Sequence, residues 1–192
     1  MLLRNYWEIK RCQSTCVFKN NTQAPWGAPT TMKAVDGTVF SNFPYIDGYN
    51  WYGNNSSYSN YNSGQRKILN PFNGLVLKVG TGTTDPAITD YSIETDVTSS
   101  FSSVSTNTTY SVNEDNHFVC TITWTGTNTS GSDITITEVG GVVSCADLSS
   151  TTDPSNTNTT LRSVLMFRQI LVTPVVVSAG NTASITIQIE MG

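Results

Sequence analysis

Charge is what this chain has least of. Asp, Glu, Lys and Arg make up 12% of its 192 residues, about half the share usual in globular domains. The ten Lys and Arg are outnumbered by fourteen Asp and Glu, for a net charge of −4. The cations are scattered, with a mild excess near the start at Arg4, Lys10, Arg11 and Lys19. Binding to nucleic acid needs a cationic surface that releases counterions, so no direct contact with DNA or RNA is expected. Long apolar runs are missing too, and with them any stretch able to span a bilayer as a helix. The opening Met1-Leu2-Leu3-Arg4 soon reaches Glu8, Lys10 and Arg11, which interrupts the apolar region a signal peptide would need. Synthesis and folding in a cytoplasm are therefore expected.

Histidine and cysteine are nearly as scarce. The single His117 precedes an alternating segment, and Cys120, three positions along a strand, falls on the opposite face. A triad needs its base beside a nucleophile, so a solvated histidine at a strand start is expected. Cys12 and Cys16 have the spacing of half a zinc site, but Cys120 and Cys145 are not at close ligand spacing. In a reducing compartment all four should be packed thiols, and no metal or cofactor is expected. Gly80-Thr81-Gly82 lacks the Lys-Ser/Thr and the helix of a phosphate loop and reads as a strand-ending turn. Asp85, Asp90, Glu94 and Asp96 are close in sequence. Paired carboxylates serve glycoside hydrolysis, and such oxygens can also hold calcium, but the sequence does not fix their separations. No catalytic residue is assigned and no enzyme is expected.

What is present is β-pattern. No window shows a helical apolar stripe, although residues 5–10 could form a helical turn or an extended arm. Residues 75–79 form an apolar strand. In 118–125, Phe118, Cys120, Ile122 and Trp124 share one face, and Val119 and three threonines share the other. Residues 134–139, with Ile134 and Ile136 inward, should pair with 118–125 as an antiparallel hairpin across a longish loop. The segment 161–177 is apolar and should break at Pro174, which belongs at a strand start or an edge. In 183–190 the isoleucines alternate with polar residues. This points to an all-β chain: an antiparallel β-sandwich, jelly-roll or immunoglobulin-like, over 75–192, preceded by an irregular arm over 1–74.

The first region is rich in Asn, Tyr, Gly and Ser, above all in 49–63. That stretch is too polar for a core and too aromatic for a simple linker. It reads as a surface loop whose tyrosines pack locally, or as a segment that orders against a neighbouring subunit. On the second reading Tyr49, Trp51, Tyr52, Tyr58 and Tyr61, with Trp7 and Trp26, are the candidate subunit contacts, because such side chains supply contact area at low entropic cost.

Three phrases resemble a known family. The first runs Val79-Gly80-Thr81-Gly82-Thr83-Thr84-Asp85-Pro86 and on to Thr89-Asp90-Tyr91-Ser92-Ile93-Glu94. The second is 118–125 with Ile134-Thr135-Ile136-Thr137-Glu138-Val139-Gly140. The third runs from Leu165-Met166-Phe167-Arg168 through Pro174, Val177 and Ala179-Gly180 to Ile185–Ile189. In this order they resemble the virion proteins of tailed bacteriophages. Met166-Phe167 stands where an aliphatic pair is more usual, and Ile187-Gln188-Ile189 where a tyrosine is common. The resemblance implies a small sandwich present in many copies in a virion assembled in the bacterial cytoplasm. Its partners would be copies of itself and other capsid or tail proteins. An auxiliary or decoration protein of the head is the first expectation. A neck, collar or tail subunit is the second, and a receptor- or host-glycan-binding module the third.

Overall fold

The computed structural model describes residues 1–8, 30–42, 75–147 and 160–191. The chain is all-β in class. Its strands are β1 (Thr30–Lys33), β2 (Val39–Asn42), β3 (Val76–Gly80), β4 (Phe101–Val112), β5 (Phe118–Asn128), β6 (Ile134–Asp147), β7 (Thr160–Val177) and β8 (Thr182–Met191). They form a two-stranded sheet, β1-β2, and two three-stranded sheets ordered β3-β6-β7 and β4-β5-β8. The pairs β1–β2, β4–β5 and β5–β8 are antiparallel. The chain divides into two compact units. Unit 1 takes Met1–Gly74, Ala87–Ser92 and Val142–Phe167, and unit 2 takes Leu75–Pro86, Ile93–Gly141 and Arg168–Gly192.

In unit 2 the alternation of β5 fixes its faces as expected. Cys120, Ile122 and Trp124 are fully buried, while Phe118 at the strand start is 41% exposed. Ile185 and Ile187 of β8 stand opposite Trp124 and Ile122 and are buried with them. Side chains of this size contribute about 1.5–3 kcal/mol each when fully buried. Phe101 closes the same core, its ring edge-on to Trp124 with centroids 5.1 Å apart. It reaches that position through a bulge. The register jumps from Ser102↔Thr127 to Ser105↔Thr125, with Ser103 at φ 51°. One extra residue reverses which face each side chain meets. Beyond the bulge the even-numbered Thr106, Thr108, Tyr110 and Val112 share the core face; before it the odd-numbered Phe101 does. The Trp124 indole N–H is buried and has no hydrogen-bond partner among the described residues.

In unit 1 the core is built by Leu3, Tyr6, Met32, Ala34, Phe40, Val142, Val143 and the run Val164–Phe167, all buried. The β1–β2 connection turns at Asp36-Gly37, with Gly37 at φ 85°, where glycine carries no Cβ penalty. The Asp36 carboxylate accepts the Thr38 N–H at 2.9 Å.

Two expectations are corrected, and an alternative left open at the N-terminus is resolved. β5 and β6 do not pair; they lie in different sheets. Asn128 reroutes the chain between them, its amide donating to the Ser132 and Val177 carbonyls while its oxygen accepts from the Ser130 N–H. Pro174 does not break the strand: β7 runs through it, and among the described residues β7 is an edge strand of its sheet, the placement expected for a proline that cannot donate to a ladder. Of the two alternatives for residues 5–10, the described part, residues 5–8, takes the helical one. Residues 4–8 form a helical turn, Leu2 bridges Phe167, and the Leu3 N–H donates to the Met166 carbonyl at 2.9 Å. Asn5 is buried and fastens this segment, donating to the Lys33 and Leu165 carbonyls and accepting the Lys33 N–H.

Candidate functional site

The most elaborate polar arrangement lies in unit 2 where β3 ends. Glu138 is the third inward position of β6 after Ile134 and Ile136, and its side chain is 0% exposed. Arg168 follows the four buried residues of β7 and is 4% exposed. Arg168 Nε donates to Glu138 Oε2 at 2.7 Å. The second oxygen, Oε1, accepts the Gly82 N–H at 3.0 Å and the Thr95 N–H at 2.9 Å, and Oε2 also accepts the Glu94 N–H at 3.2 Å. A buried charge pair is tolerable only when its remaining hydrogen-bonding capacity is met, and the backbone of 82–95 meets it here.

Glu94 forms the outer half of the cluster. Its carboxylate accepts the Thr83 and Thr84 N–H groups at 3.0 Å, the Thr84 hydroxyl at 2.9 Å and Arg168 Nη2 at 3.2 Å. Those donors, the Thr84 N–H first, hold its pKa below the ordinary carboxylate value. Thr137 Oγ1 adds a bond to the Gly82 carbonyl at 2.7 Å. The glycines are required by space. A Cβ on Gly80 would lie 2.5 Å from Glu138 Oε1 and 2.6 Å from the Thr95 carbonyl oxygen, and one on Gly82 would strike both glutamates. Every carboxylate oxygen of Glu94 and Glu138 is engaged, so the cluster's chemistry is that of a clamp fixing the Gly80–Gly82 turn.

The remaining acidic candidates have similar local duties. Asp96 pairs with Lys78 at 3.5 Å and accepts the Thr98 N–H. Asp90, in unit 1, accepts the Ala87 N–H, and Asp85 is exposed. His117 stands before β5, 46% exposed, with Nδ1 against the Glu190 carboxylate. Hydrogen bonds from His117 and then Asn113 lower the Glu190 pKa. Cys120 lies in the core, and burial pushes its thiol pKa up to about 11. No group of three His, Cys, Asp or Glu suited to a metal is found among the described residues. Cys12 and Cys16 lie outside them.

The outer surface of β4-β5-β8 is built of hydroxyls. Ser105–Thr125 and Thr127–Thr182 bond across strands at 2.7 Å, Thr123–Thr186 at 3.1 Å, and Gln188 donates to Thr121 at 3.3 Å. β4 departs from a half-buried strand. After Phe101 none of its residues is buried. Tyr110 is 40% and Val112 62% exposed, and Tyr110 stacks on Phe118 with ring centroids 5.5 Å apart.

Unit 1 holds a cavity of about 270 Å³ lined by Arg4, Asn5, Lys33, Asp90 and Tyr91 among others. The Lys33 ammonium sits 3.5 Å above the Tyr91 ring centroid, an attraction of charge to the ring's negative face. Of the seven aromatic contact candidates, Trp7 is 53% exposed and lies edge-on to Tyr6, centroids 5.1 Å apart. Tyr49, Trp51, Tyr52, Tyr58, Tyr61 and Trp26 lie outside the described residues. Sequence reasoning did not single out Glu138, Arg168 or β4. The first two had a legible signal: a charge at an inward position of an apolar strand. No helix among the described residues is long and apolar enough to cross a membrane. Comparison with protein-family models, with curated proteins and with solved structures gives no match.

Proposed function

We propose that the chain is a non-enzymatic structural subunit of a bacteriophage virion, an auxiliary or decoration protein of the head that works through subunit contacts. The observation that carries this reading is the convergence of the three phage-like phrases on one cluster. The first supplies Gly82 and Glu94, the second Glu138 and the third Arg168. Phrases distant in sequence thus act as one structural device, which favours a shared fold over a chance likeness of short words. In this reading the two three-stranded sheets form a small jelly-roll-like or immunoglobulin-like sandwich. The low charge supports the same role, because interface cores are depleted in charged residues. So do the outward valines, with Val172 98% and Val176 62% exposed. A neck, collar or tail subunit would share these features.

The cavity of unit 1 favours a second reading, a module that binds a host-surface glycan. Two cations, the Asp90 carboxylate and the Tyr91 ring line it, the few converging polar and aromatic groups that small-ligand sites use.

Quantitative mass spectrometry of purified virions tests the first reading. The chain should be present in many copies, in fixed ratio to the shell protein. Its absence from virions, or its purification with a host polysaccharide it degrades, would overturn that reading.

A further inference from the structure

We infer that the cavity of unit 1 is selective for an acidic sugar residue, whose carboxylate meets Lys33 and Arg4 while its hydroxyls turn to Asp90. The inference rests on the glycan-binding reading of this cavity and names the class of glycan.

Three segments build the site, all within unit 1, and hydrogen bonds tie them together. Asn5 donates to the Lys33 carbonyl at 2.9 Å and accepts the Lys33 N–H at 3.2 Å, which sets β1 against the helical turn 4–8. The Arg4 N–H donates to the Ile88 carbonyl at 2.9 Å, which sets the segment 87–92 against the same turn. Arg4, Lys33, Asp90 and Tyr91 thus line one cavity of about 270 Å³ before any ligand arrives, and a preformed site avoids the ordering cost that weakens binding. Small-molecule sites usually span about 300–1,000 Å³. A cavity just under that range suits one sugar residue, not a nucleotide or an extended chain.

Both cations keep donors in hand. The Lys33 ammonium rests 3.5 Å from the Tyr91 ring centroid, and among the described residues no carboxylate pairs with it. A ring face engages the charge but not all three N–H donors. Arg4 is 63% exposed and meets Glu8 through Nε at 3.9 Å, which leaves the terminal nitrogens that grip a carboxylate. These two groups call for an anion, and Asp90 decides which kind. Its carboxylate lines the same cavity and accepts the Ala87 N–H. It repels a ligand charged all round, such as phosphate. A carboxylate offers about four acceptor positions, so it takes a ligand hydroxyl beside the bonds it already makes. Thr31 and Thr89 add exposed hydroxyls to the wall, and Val39, 62% exposed, adds an apolar contact for ring C–H groups. One charge at one end and hydroxyls around the rest describe a sugar acid.

The test is NMR titration of the full chain with glucuronate and galacturonate, with glucose and galactose as their neutral counterparts, and with acetate and phosphate as anions without the sugar. The sugar acids should bind about tenfold more tightly than the other four, or better, with shifts centred on the Arg4, Lys33 and Tyr91 amides. Lys33→Gln should weaken the sugar acids about tenfold. Asn5 bonds the Lys33 backbone and not its ammonium, so the fold should survive, which unfolding curves would verify. Lys78→Gln makes the same change in unit 2 and should bind like wild type. Neutral sugars that bind as tightly as the acids would overturn the inference and leave the glycan reading standing. Acetate or phosphate binding as tightly, or Lys33→Gln matching wild type, would also overturn it. Failure of all four sugars to bind would overturn the inference and the glycan reading together.

Discussion

Arg168 Nε lies 2.7 Å from Glu138 Oε2, and both side chains are almost wholly withdrawn from solvent. The two residues come from different strands, and the carboxylate is completed by three backbone N–H groups of 82–95. Removing one member leaves a buried charge without its counterpart. Arg168→Met or Glu138→Gln alone should destabilise the chain by about 3–5 kcal/mol in urea unfolding. Replacing both with apolar residues should recover only part of that loss, because the Gly82, Glu94 and Thr95 N–H groups still lose their acceptor, and an additive double variant would contradict the pairing.

Two glycines in different turns give a graded prediction. Gly180 has φ 78° and open space around its Cβ position, whereas a Cβ on Gly82 would strike Glu94 and Glu138. Gly180→Ala should cost about 1 kcal/mol from backbone strain. Gly82→Ala should cost clearly more, and equal losses would contradict the close packing of the clamp.

Acid should weaken the fold through Glu94 and Glu190. Both have folded-state pKa values below their ordinary 4.5. The unfolded chain therefore takes up protons first, so this stabilisation is complete above the ordinary carboxylate range and is lost as pH falls through the folded values. Unfolding midpoints between pH 7 and about 3 should fall, and Glu94→Gln should flatten part of that slope. A slope unchanged in Glu94→Gln would show that Thr83, Thr84 and Arg168 do not act on this carboxylate.

Cys120 is fully buried and its thiol is raised to about 11. With Cys12, Cys16 and Cys145 replaced by serine, it should resist a thiol reagent at pH 8 and react at once in denaturant, because the thiolate is the reactive form. Rapid reaction in the native state would contradict its place in the core.

The legible and illegible parts of the fold differ for physical reasons. β5 and β8 announce themselves because one face is buried and the other wet, as at Cys120-Thr121-Ile122-Thr123-Trp124. β4 is hidden because Ser, Thr and Asn occupy both of its faces, so no period-two contrast exists. The Asp36-Gly37 turn between β1 and β2 was a readable hairpin signal within a region read as irregular. Glu138 and Arg168 were visible as charges embedded in apolar strands, but only the fold shows that they meet. The β5–β6 hairpin failed as an expectation because sequence adjacency favours pairing, and Asn128 overrides it by tying the turn to the end of β7.

In the proposed function the chain acts by joining other subunits. The most direct measurement is mass-resolved sizing of the purified chain, alone and mixed with phage heads that lack it. A chain that works by subunit contacts should move into the particle fraction at a fixed stoichiometry. A chain that stays out of the particle fraction at every concentration would contradict it.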